Sequence, residues 1–256
     1  MFVELEGLRC RTGIQVVPHL CTNGVLRVGA VATLIDVAAG AYATRAVSPN
    51  WVATCDLVLH TLAPVAQGTV IAVPRKLRHG KTTLVVEVDV FEASNPDRHT
   101  ATGTVTFSIL ESRGAIQRTD PADELIRTEF ALPTTELAKP IIETMGVEVV
   151  DASLGQLKVA LTPYLGNTLG AVQGGAIALL AEASAELAGR HIGDAGWVTR
   201  DMVIHYLSLG KVGPLSSRAK VLRSTEDGAL LRVELYDEGR DRRLLTTITA
   251  EVGPAS

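Results

Sequence analysis

The sequence contains one internal repeat, and this repeat limits the possible folds more than any other feature. The segment Thr54–His60 (TCDLVLH) matches Thr199–His205 (TRDMVIH) at an offset of 145 residues. We interpret the two halves as diverged copies of one structural unit. Further matches at this offset are Pro18-His19-Leu20 with Pro163-Tyr164-Leu165, Leu62 with Leu207, and Leu77-Arg78 with Leu222-Arg223.

Each half contains one long apolar segment that predicts a helix. In the second half, Ala176 to Leu187 has no proline or glycine and one β-branched residue, which favours a helix. We expect this helix to run from about 175 to 188 and to stop at Gly189, since helices often end at a glycine. The matching helix of the first half should span about 29–45. With one residue of slippage, Gly29 aligns with Gly175, and Asp36 aligns with Glu182.

Most of the remaining sequence consists of β-rich runs in which Val, Thr and Ile roughly alternate with other residues. A long apolar helix followed by four or five antiparallel strands predicts an α+β unit whose sheet wraps the helix. The expected strands are 2–6, 13–17, 53–59, 69–77, 82–92 and 100–110 in the first half, and 146–150, 156–161, 199–206, 215–222, 229–237 and 243–252 in the second.

The repeat divides the chain into three predicted parts. The N-terminal repeat covers residues 1–111, a linker covers 112–140, and the C-terminal repeat covers 141–256. The linker is richer in charge, threonine and proline than its surroundings, and one helical turn is expected within it at 122–127.

Composition excludes several classes of function. The net charge of −4, the lack of a basic block and the aromatic content of 4% argue against binding to nucleic acid. No apolar run is long enough to span a membrane and no signal-peptide pattern is present, so we expect a cytoplasmic protein without a membrane partner. Cys10, Cys21 and Cys55 fit neither a disulfide framework nor a CxxC site, which predicts buried small hydrophobes and no metal site.

The start of the second helix is a candidate site. At Gln173-Gly174-Gly175 the first helical residues lack side chains, so backbone N–H groups and the positive end of the helix dipole are open to an oxyanion. The alternative is that the two glycines only allow close packing.

Two carboxylates, Asp36 and Glu182, lie inside the apolar helices, where burial raises the pKa of a carboxyl group and is costly unless the group is partnered or functional. The alternative is that hydroxyl groups such as those of Thr33 or Ser184 hold them, or that they face water. Glu186, one turn beyond Glu182, could join the site, but a residue at such a position is more often solvated.

The motif Asn167-x-x-Gly170-x-Val172-Gln173-Gly174-Gly175, followed by Leu180-Ala181-Glu182, resembles that of hotdog-fold acyl-CoA thioesterases of the phenylacetyl-CoA and 4-hydroxybenzoyl-CoA types. Thr199-x-Asp201-x-x-Ile204-x-Tyr206-Leu207 resembles their next strand. The resemblance implies a tandem double hotdog, in which the repeats form a pseudo-dimer with sites between them. It also implies a thioester hydrolase that releases a carboxylic acid and coenzyme A, needs no cofactor, and forms a homo-oligomer, a dimer of double hotdogs.

The resemblance and helix geometry together suggest how one site is assembled. Seven residues separate Gly175 from Glu182, roughly 10 Å along a helix axis, so Glu182 cannot easily serve its own helix start. Because the family packs its two helices side by side, the carboxylate should come from the partner helix, as Asp36. The mirror site would contain Arg27-Val28-Gly29 and Glu182. We expect it to be inactive, because the side chains of Val28 and Arg27 do not suit a pocket for a carbonyl group.

Other residues have two interpretations each. Asn167 could orient the nucleophile or the thioester, or serve a turn, while Gln173 could bind the substrate carbonyl or cap the helix. His60 and His205, with Asp56 and Asp201, could be catalytic but are as easily structural polar pairs. Residues that could bind coenzyme A phosphates, or be plain surface charge, are Arg78, Lys81, Arg200 and Arg223.

Three rival functions stay open. The first is a hotdog protein that binds acyl-CoA or another ligand without hydrolysing it. The second is a hotdog dehydratase, although no histidine lies near Gly174 or Gly29 in the sequence. The third is a purely structural scaffold.

Overall fold

The two repeats join edge to edge in one antiparallel sheet. The computed structural model describes residues 1–111, 124–129, 137–167 and 170–255, and within these ranges the main sheet has 13 strands. The predicted α+β architecture, in which each repeat is a long helix wrapped by an antiparallel sheet, is confirmed.

The first repeat follows the predicted order of elements, and the segment after it contributes one strand that was not predicted. A short 3₁₀ turn at Pro18–Leu20 precedes a small pair of two-residue strands. The elements are β1 (Phe2–Glu6), β2 (Arg9–Gln15), β3 (Cys21–Thr22), β4 (Val25–Leu26), α1 (Val28–Ala46), β5 (Trp51–Thr61), β6 (Thr69–His79), β7 (Thr83–Glu92), β8 (Asn95–Leu110) and β9 (Ile126–Glu129).

The second repeat has the same order, with a matching 3₁₀ turn at Pro163–Leu165. The second repeat begins with a short helix that was not expected from the sequence. The elements are α2 (Ile141–Thr144), β10 (Glu148–Asp151), β11 (Gln156–Val159), α3 (Gly174–Ile192), β12 (Val198–Tyr206), β13 (Leu215–Thr225), β14 (Gly228–Asp237) and β15 (Arg243–Gly253).

The seam between the repeats is the antiparallel pair β5 and β12, in which Val58 lies opposite Val203. The sheet order is β10-β11-β13-β14-β15-β12-β5-β8-β7-β6-β2-β1-β9, so each repeat continues outward from this central pair. The alternation expected of a half-buried strand is clearest in β7, whose buried residues face the helix layer. These residues are Leu84, Val86, Val88 and Val90.

Helices α1 and α3 pack side by side and run in opposite directions. A β-carbon on Gly29 would lie 2.7 Å from the α-carbon of Leu179, and one on Gly175 would lie 2.3 Å from Oγ1 of Thr33. Such distances are too short for real atoms, so glycine is needed at both crossings. The packing interpretation is therefore correct for Gly175, and it does not conflict with open N–H groups at the same residue.

Two expectations about helices are wrong. Helix α3 does not stop at Gly189 but continues to Ile192. A β-carbon at Gly189 would lie 2.7 Å from Cγ2 of Val252, so this glycine allows the helix to approach the sheet and does not end it.

The second error concerns the helical turn expected at 122–127, of which residues 122 and 123 lie outside the described residues. Ile126–Glu129 is a strand that pairs with β1. An edge strand offers unpaired backbone groups, and Arg127 adds an ion pair at 2.7 Å to the buried Glu4.

None of the described helices is long and apolar enough to cross a lipid bilayer. Cys10 is buried as expected, but Cys21 and Cys55 are partly exposed.

Candidate active site

The first turn of α3 offers backbone N–H groups. Gln173 precedes the helix with extended backbone angles (φ −74°, ψ 141°) and its side chain makes no capping hydrogen bond. In the part of the chain that the structure describes, no acceptor takes the N–H groups of Gly174 or Gly175. These two donors lie at the positive end of the helix dipole and can stabilise negative charge. The capping interpretation of Gln173 is therefore wrong.

Asp36 of α1 lies at this helix start. A β-carbon built on Gly174 would be 3.0 Å from Oδ2 of Asp36. The other oxygen, Oδ1, accepts a hydrogen bond from Oγ1 of Thr54 at 3.0 Å. The structure thus brings the carboxylate of the first repeat to the open N–H groups of the second. Thr33 and Ser184, the hydroxyl residues suggested by the sequence, instead donate to the carbonyls of Gly29 and Gly155.

Burial raises the pKa of Asp36 above the ordinary value of 3.8, and the hydrogen bond from Thr54 opposes this rise. Desolvation disfavours the charged form, so the carboxylate is more basic than one in water. A more basic carboxylate is a better proton acceptor for a general-base reaction.

A cavity of about 410 Å³ opens in front of Asp36 and Gly174. Its wall combines the polar groups of the site with the side chains of β5, of the helix start and of the segment after β12. The apolar residues of this wall are Val52, Ala53, Val172, Ile177, Leu207 and Leu209.

Asn167 and Gln173 both line this cavity. Oδ1 of Asn167 accepts a hydrogen bond from the N–H of Ala171 at 3.1 Å, so the turn function of this residue is observed. Gln173 lies at the cavity wall, directly before the two glycines with open N–H groups. Both amides are placed where they could contact a ligand.

The mirror site at the start of α1 is closed. The N–H of Val28, which aligns with Gly174, donates to Oε1 of Glu182 at 2.7 Å. Glu182 is fully buried, whereas the equivalent Asp36 is only partly buried. Glutamate is one methylene longer than aspartate, so the Glu182 carboxylate reaches the N–H of Val28 and accepts its hydrogen bond. The cavity on this side measures about 80 Å³.

A buried ion cluster fills the rest of the mirror site. Arg27, which aligns with Gln173, lies 3.3 Å from Glu186 and 3.5 Å from Glu182. Glu186 also accepts hydrogen bonds from Arg190 and Thr22, and its exposed fraction is 2%. The expectation that Glu186 is solvated is wrong, because the arginines of both repeats neutralise its charge.

The four residues predicted to bind coenzyme A phosphates lie in two different places. Arg200 and Arg223 border one small cleft, and Arg200 also lines the mirror cavity. Lys81 lies instead in the β6–β7 turn, close to Thr83, and Arg78 lies near the end of β6, opposite Val85 of β7. Ser108 of β8 pairs with both Thr83 and Ala53, so this turn is two strands from the wall of the larger cavity.

The histidines form pairs across the seam. Nδ1 of His60 lies 3.1 Å from Oδ2 of Asp201, and Nδ1 of His205 lies 2.6 Å from Oδ1 of Asp56. Each pair joins the two repeats and is exposed to solvent. Neither histidine lines the larger cavity, which favours the structural interpretation.

Two residues of this site were not among the predicted ones. Thr54 holds Asp36, and the hydroxyl of Tyr206 donates to the carbonyl of Gly174 at 3.3 Å. Tyr206 aligns with Thr61 of the first repeat, and this difference at an otherwise similar strand end was the available signal. In the described ranges, His, Cys, Asp and Glu side chains nowhere form a set of three that could bind a metal ion.

A family model and several solved structures match this chain. A sequence model described as the thioesterase superfamily matches residues 23–97 and 169–243, once in each repeat. No curated protein matches the chain.

Among solved structures, the tesB protein of Mycobacterium avium subsp. paratuberculosis has a TM-score of 0.66 at 14% identity, covering 98% of this chain and 95% of that one. An acyl-ACP thioesterase from Bacteroides thetaiotaomicron gives 0.62 at 10% identity, with coverages of 96% and 98%. A hot dog fold protein from Alicyclobacillus acidocaldarius gives 0.61 at 12% identity, with coverages of 98% and 94%. The predicted fold of two tandem hotdog units is confirmed.

Proposed function

The chain belongs to the thioesterase superfamily and is a thioester hydrolase, and we propose that it hydrolyses acyl-CoA to a carboxylic acid and coenzyme A. The observation that carries this proposal is the position of Asp36 beside the unoccupied N–H groups of Gly174 and Gly175, at the wall of a cavity of about 410 Å³. Together these groups supply a base or nucleophile and an oxyanion hole, the two requirements of acyl transfer to water.

In the proposed reaction the thioester oxygen points at the N–H groups of Gly174 and Gly175. Asp36 takes a proton from a water molecule as the water oxygen bonds to the carbonyl carbon, and the developing oxyanion is stabilised by the helix start. The carbon–sulfur bond then breaks, and the coenzyme A thiolate leaves and takes up the proton. Direct attack by Asp36 would form an anhydride that water then hydrolyses, with the same products.

The apolar wall residues Val52, Val172 and Ile177 support an apolar acyl group in this cavity. Lys81 and Arg78 support binding of the coenzyme A phosphates, because the turn with Lys81 is two strands, about 10 Å, and Arg78 of β6 three strands, about 15 Å, from the cavity wall. The long side chain of Lys81 can bridge most of the shorter distance, and that of Arg78 can bridge part of the longer one. Arg200 and Arg223 border the mirror side and are not part of this proposal.

We propose one working site per chain. The mirror site has a backbone donor already bonded to Glu182 at 2.7 Å, and Arg27 occupies the position of Gln173. Association of two chains and a cytoplasmic location stay predictions.

The decisive experiment is a thiol-release assay over short, long and aromatic acyl-CoAs. We expect release from at least one member, saturable in substrate and at least about 100-fold slower when Asp36 is replaced by Asn. Saturable binding without any thiol release by the wild-type chain would instead support a ligand-binding function and would contradict the proposal.

A further inference from the structure

Tyr206 ends β12 with its hydroxyl at the first turn of α3. A β-carbon on Gly174 would lie 3.3 Å from Oη of Tyr206 and 3.0 Å from Oδ2 of Asp36. The hydroxyl and the carboxylate therefore flank the same glycine. In this structure the hydroxyl donates to the carbonyl oxygen of Gly174, at 3.3 Å.

The acceptor of this hydrogen bond belongs to the peptide group that contains a proposed oxyanion donor. The carbonyl of Gly174 and the N–H of Gly175 share one planar, resonance-stabilised amide. A hydrogen bond to the oxygen polarises the amide and strengthens its N–H as a donor, and it also fixes the peptide plane. Tyr206 also lines the cavity, and it can act on the N–H of Gly175 through this shared amide.

The hydroxyl remains a donor over the working pH range. Burial and the neighbouring Asp36 carboxylate raise the pKa of Tyr206 well above its ordinary value of 10. Loss of the proton would place a second negative charge beside Asp36 in a poorly solvated site, which is unfavourable.

The first repeat shows that the fold does not need tyrosine at this strand end. Its equivalent residue, Thr61, donates to the carbonyl of Arg200 instead. At that helix start the N–H of Val28 is already bonded to Glu182. Among the residues that the structure describes, only the half with unoccupied N–H groups has a hydroxyl bonded to the carbonyl of the first helical residue.

We infer that Tyr206 is a positioning residue that orients and polarises the Gly174–Gly175 peptide for oxyanion binding. The inference rests on the proposed function, because it assigns a task within the same site.

The sequence allows a direct spectroscopic test, since Gly174-Gly175 is its only Gly-Gly pair. Protein made by cell-free synthesis with glycine labelled by ¹³C at the carbonyl and by ¹⁵N gives one carbonyl-to-amide correlation, from Gly174 to Gly175. Replacing Tyr206 by Phe should shift this carbonyl signal and its amide partner in the direction of a weaker hydrogen bond. The control Tyr236→Phe removes a hydroxyl that is bonded to Glu234 and should leave the signal in place.

The kinetic arm uses the same two variants. Tyr206→Phe should lower kcat by about five- to tenfold and change KM by less than about twofold, since the lost interaction strengthens only in the transition state. The acid limb of the pH profile should not move, because Asp36 keeps its own partner, Thr54. Tyr236→Phe should match the wild type.

An unchanged carbonyl signal or an unchanged kcat in Tyr206→Phe would overturn the inference. A shifted acid limb would also overturn it, because it would show that Tyr206 acts on the ionisation of Asp36. If the wild type releases no thiol from any acyl-CoA, the proposed function fails. The spectrum still decides whether Tyr206 polarises the peptide.

Discussion

Asp36 and Gly174 approach each other so closely that a β-carbon on the glycine would lie 3.0 Å from the carboxylate oxygen Oδ2. The contact joins the middle of the first long helix to the start of the second. Glycine at position 174 leaves room between the two helices for the carboxylate and for a ligand. Gly175 is needed for helix packing, so the two glycines have separable tasks.

Gly174→Ala should therefore reduce activity without unfolding the protein. The added methyl group displaces the carboxylate by a few tenths of an ångström or more, and we expect kcat/KM to fall about 10- to 100-fold. Thermal unfolding should change little, because alanine is favoured over glycine in a helix. Gly40→Ala is a matched control on α1, where a β-carbon meets no atom within 4 Å, and it should keep full activity. Equal activity of the two variants would contradict this geometry.

The two central carboxylates should differ sharply when each is replaced by its amide. Asp36→Asn removes the proposed base and should lower kcat by about 10²- to 10⁴-fold. Glu182→Gln lies in the closed mirror site and should retain most of the turnover. Both rates follow from the thiol-release assay under saturating substrate. A Glu182→Gln variant that is inactive beside an active Asp36→Asn would reverse the assignment of the sites.

The pH dependence of kcat/KM should report the environment of Asp36. The carboxylate must be ionised to accept a proton, so activity rises as pH increases through its pKa. Burial raises that pKa, which places the acid limb above the ordinary aspartate range. Thr54→Val removes the hydrogen bond that opposes this rise, so the limb should move to higher pH. A shift to lower pH would show that Thr54 stabilises the protonated form instead.

Much of this site follows from the sequence because the repeat supplies its own alignment. The match of Asp36 with Glu182, the short reach of a carboxylate along a helix, and the side-by-side helices that the family resemblance implies together placed the acid of one half at the glycines of the other. Arg27-Val28 stands where the second repeat has Gln173-Gly174, and this difference predicted that only one of the two sites would work. Neither step required knowledge of contacts between strands.

The residues that were missed depend on such contacts. Thr54 reaches Asp36 only because β5 passes over α1, and Tyr206 reaches Gly174 only because β12 ends at the start of α3. Strand β9 forms because β1 offers a free edge. A single sequence does not reveal which side chains meet across elements, so these placements needed the folded chain.

Coenzyme A binding offers a test of the charged turn between β6 and β7. Replacing both Arg78 and Lys81 by Ala should raise KM for acyl-CoA by about tenfold, as expected for lost charge-assisted hydrogen bonds. KM for the matching acyl-pantetheine, which lacks the nucleotide phosphates, should not change. Arg223→Ala on the mirror side is the control and should behave as the wild type. An equal loss with both substrates would assign the two residues a structural task.

Glu182 should make the fold less stable as pH rises. Burial, then the neighbouring Glu186, raise the pKa of Glu182 to about 8 from its ordinary value of 4.5, against the opposing effects of Arg27 and the N–H of Val28. Glu186 forms the shorter ion pairs, 3.3 Å to Arg27 and 2.9 Å to Arg190. The positive charge of these arginines therefore stabilises ionised Glu186 more than ionised Glu182.

Between pH 4.5 and about 8 the unfolded chain has lost this proton while the folded chain keeps it. The folded state then binds more protons than the unfolded state, so the free energy of unfolding falls as pH rises through this window. Glu182→Gln cannot ionise and should escape the decline. Its melting temperature should rise relative to the wild type between pH 5 and pH 8, by about 2–4 °C for each kcal/mol involved. A difference that stays constant across this window would mean that Glu182 is ionised in the folded protein.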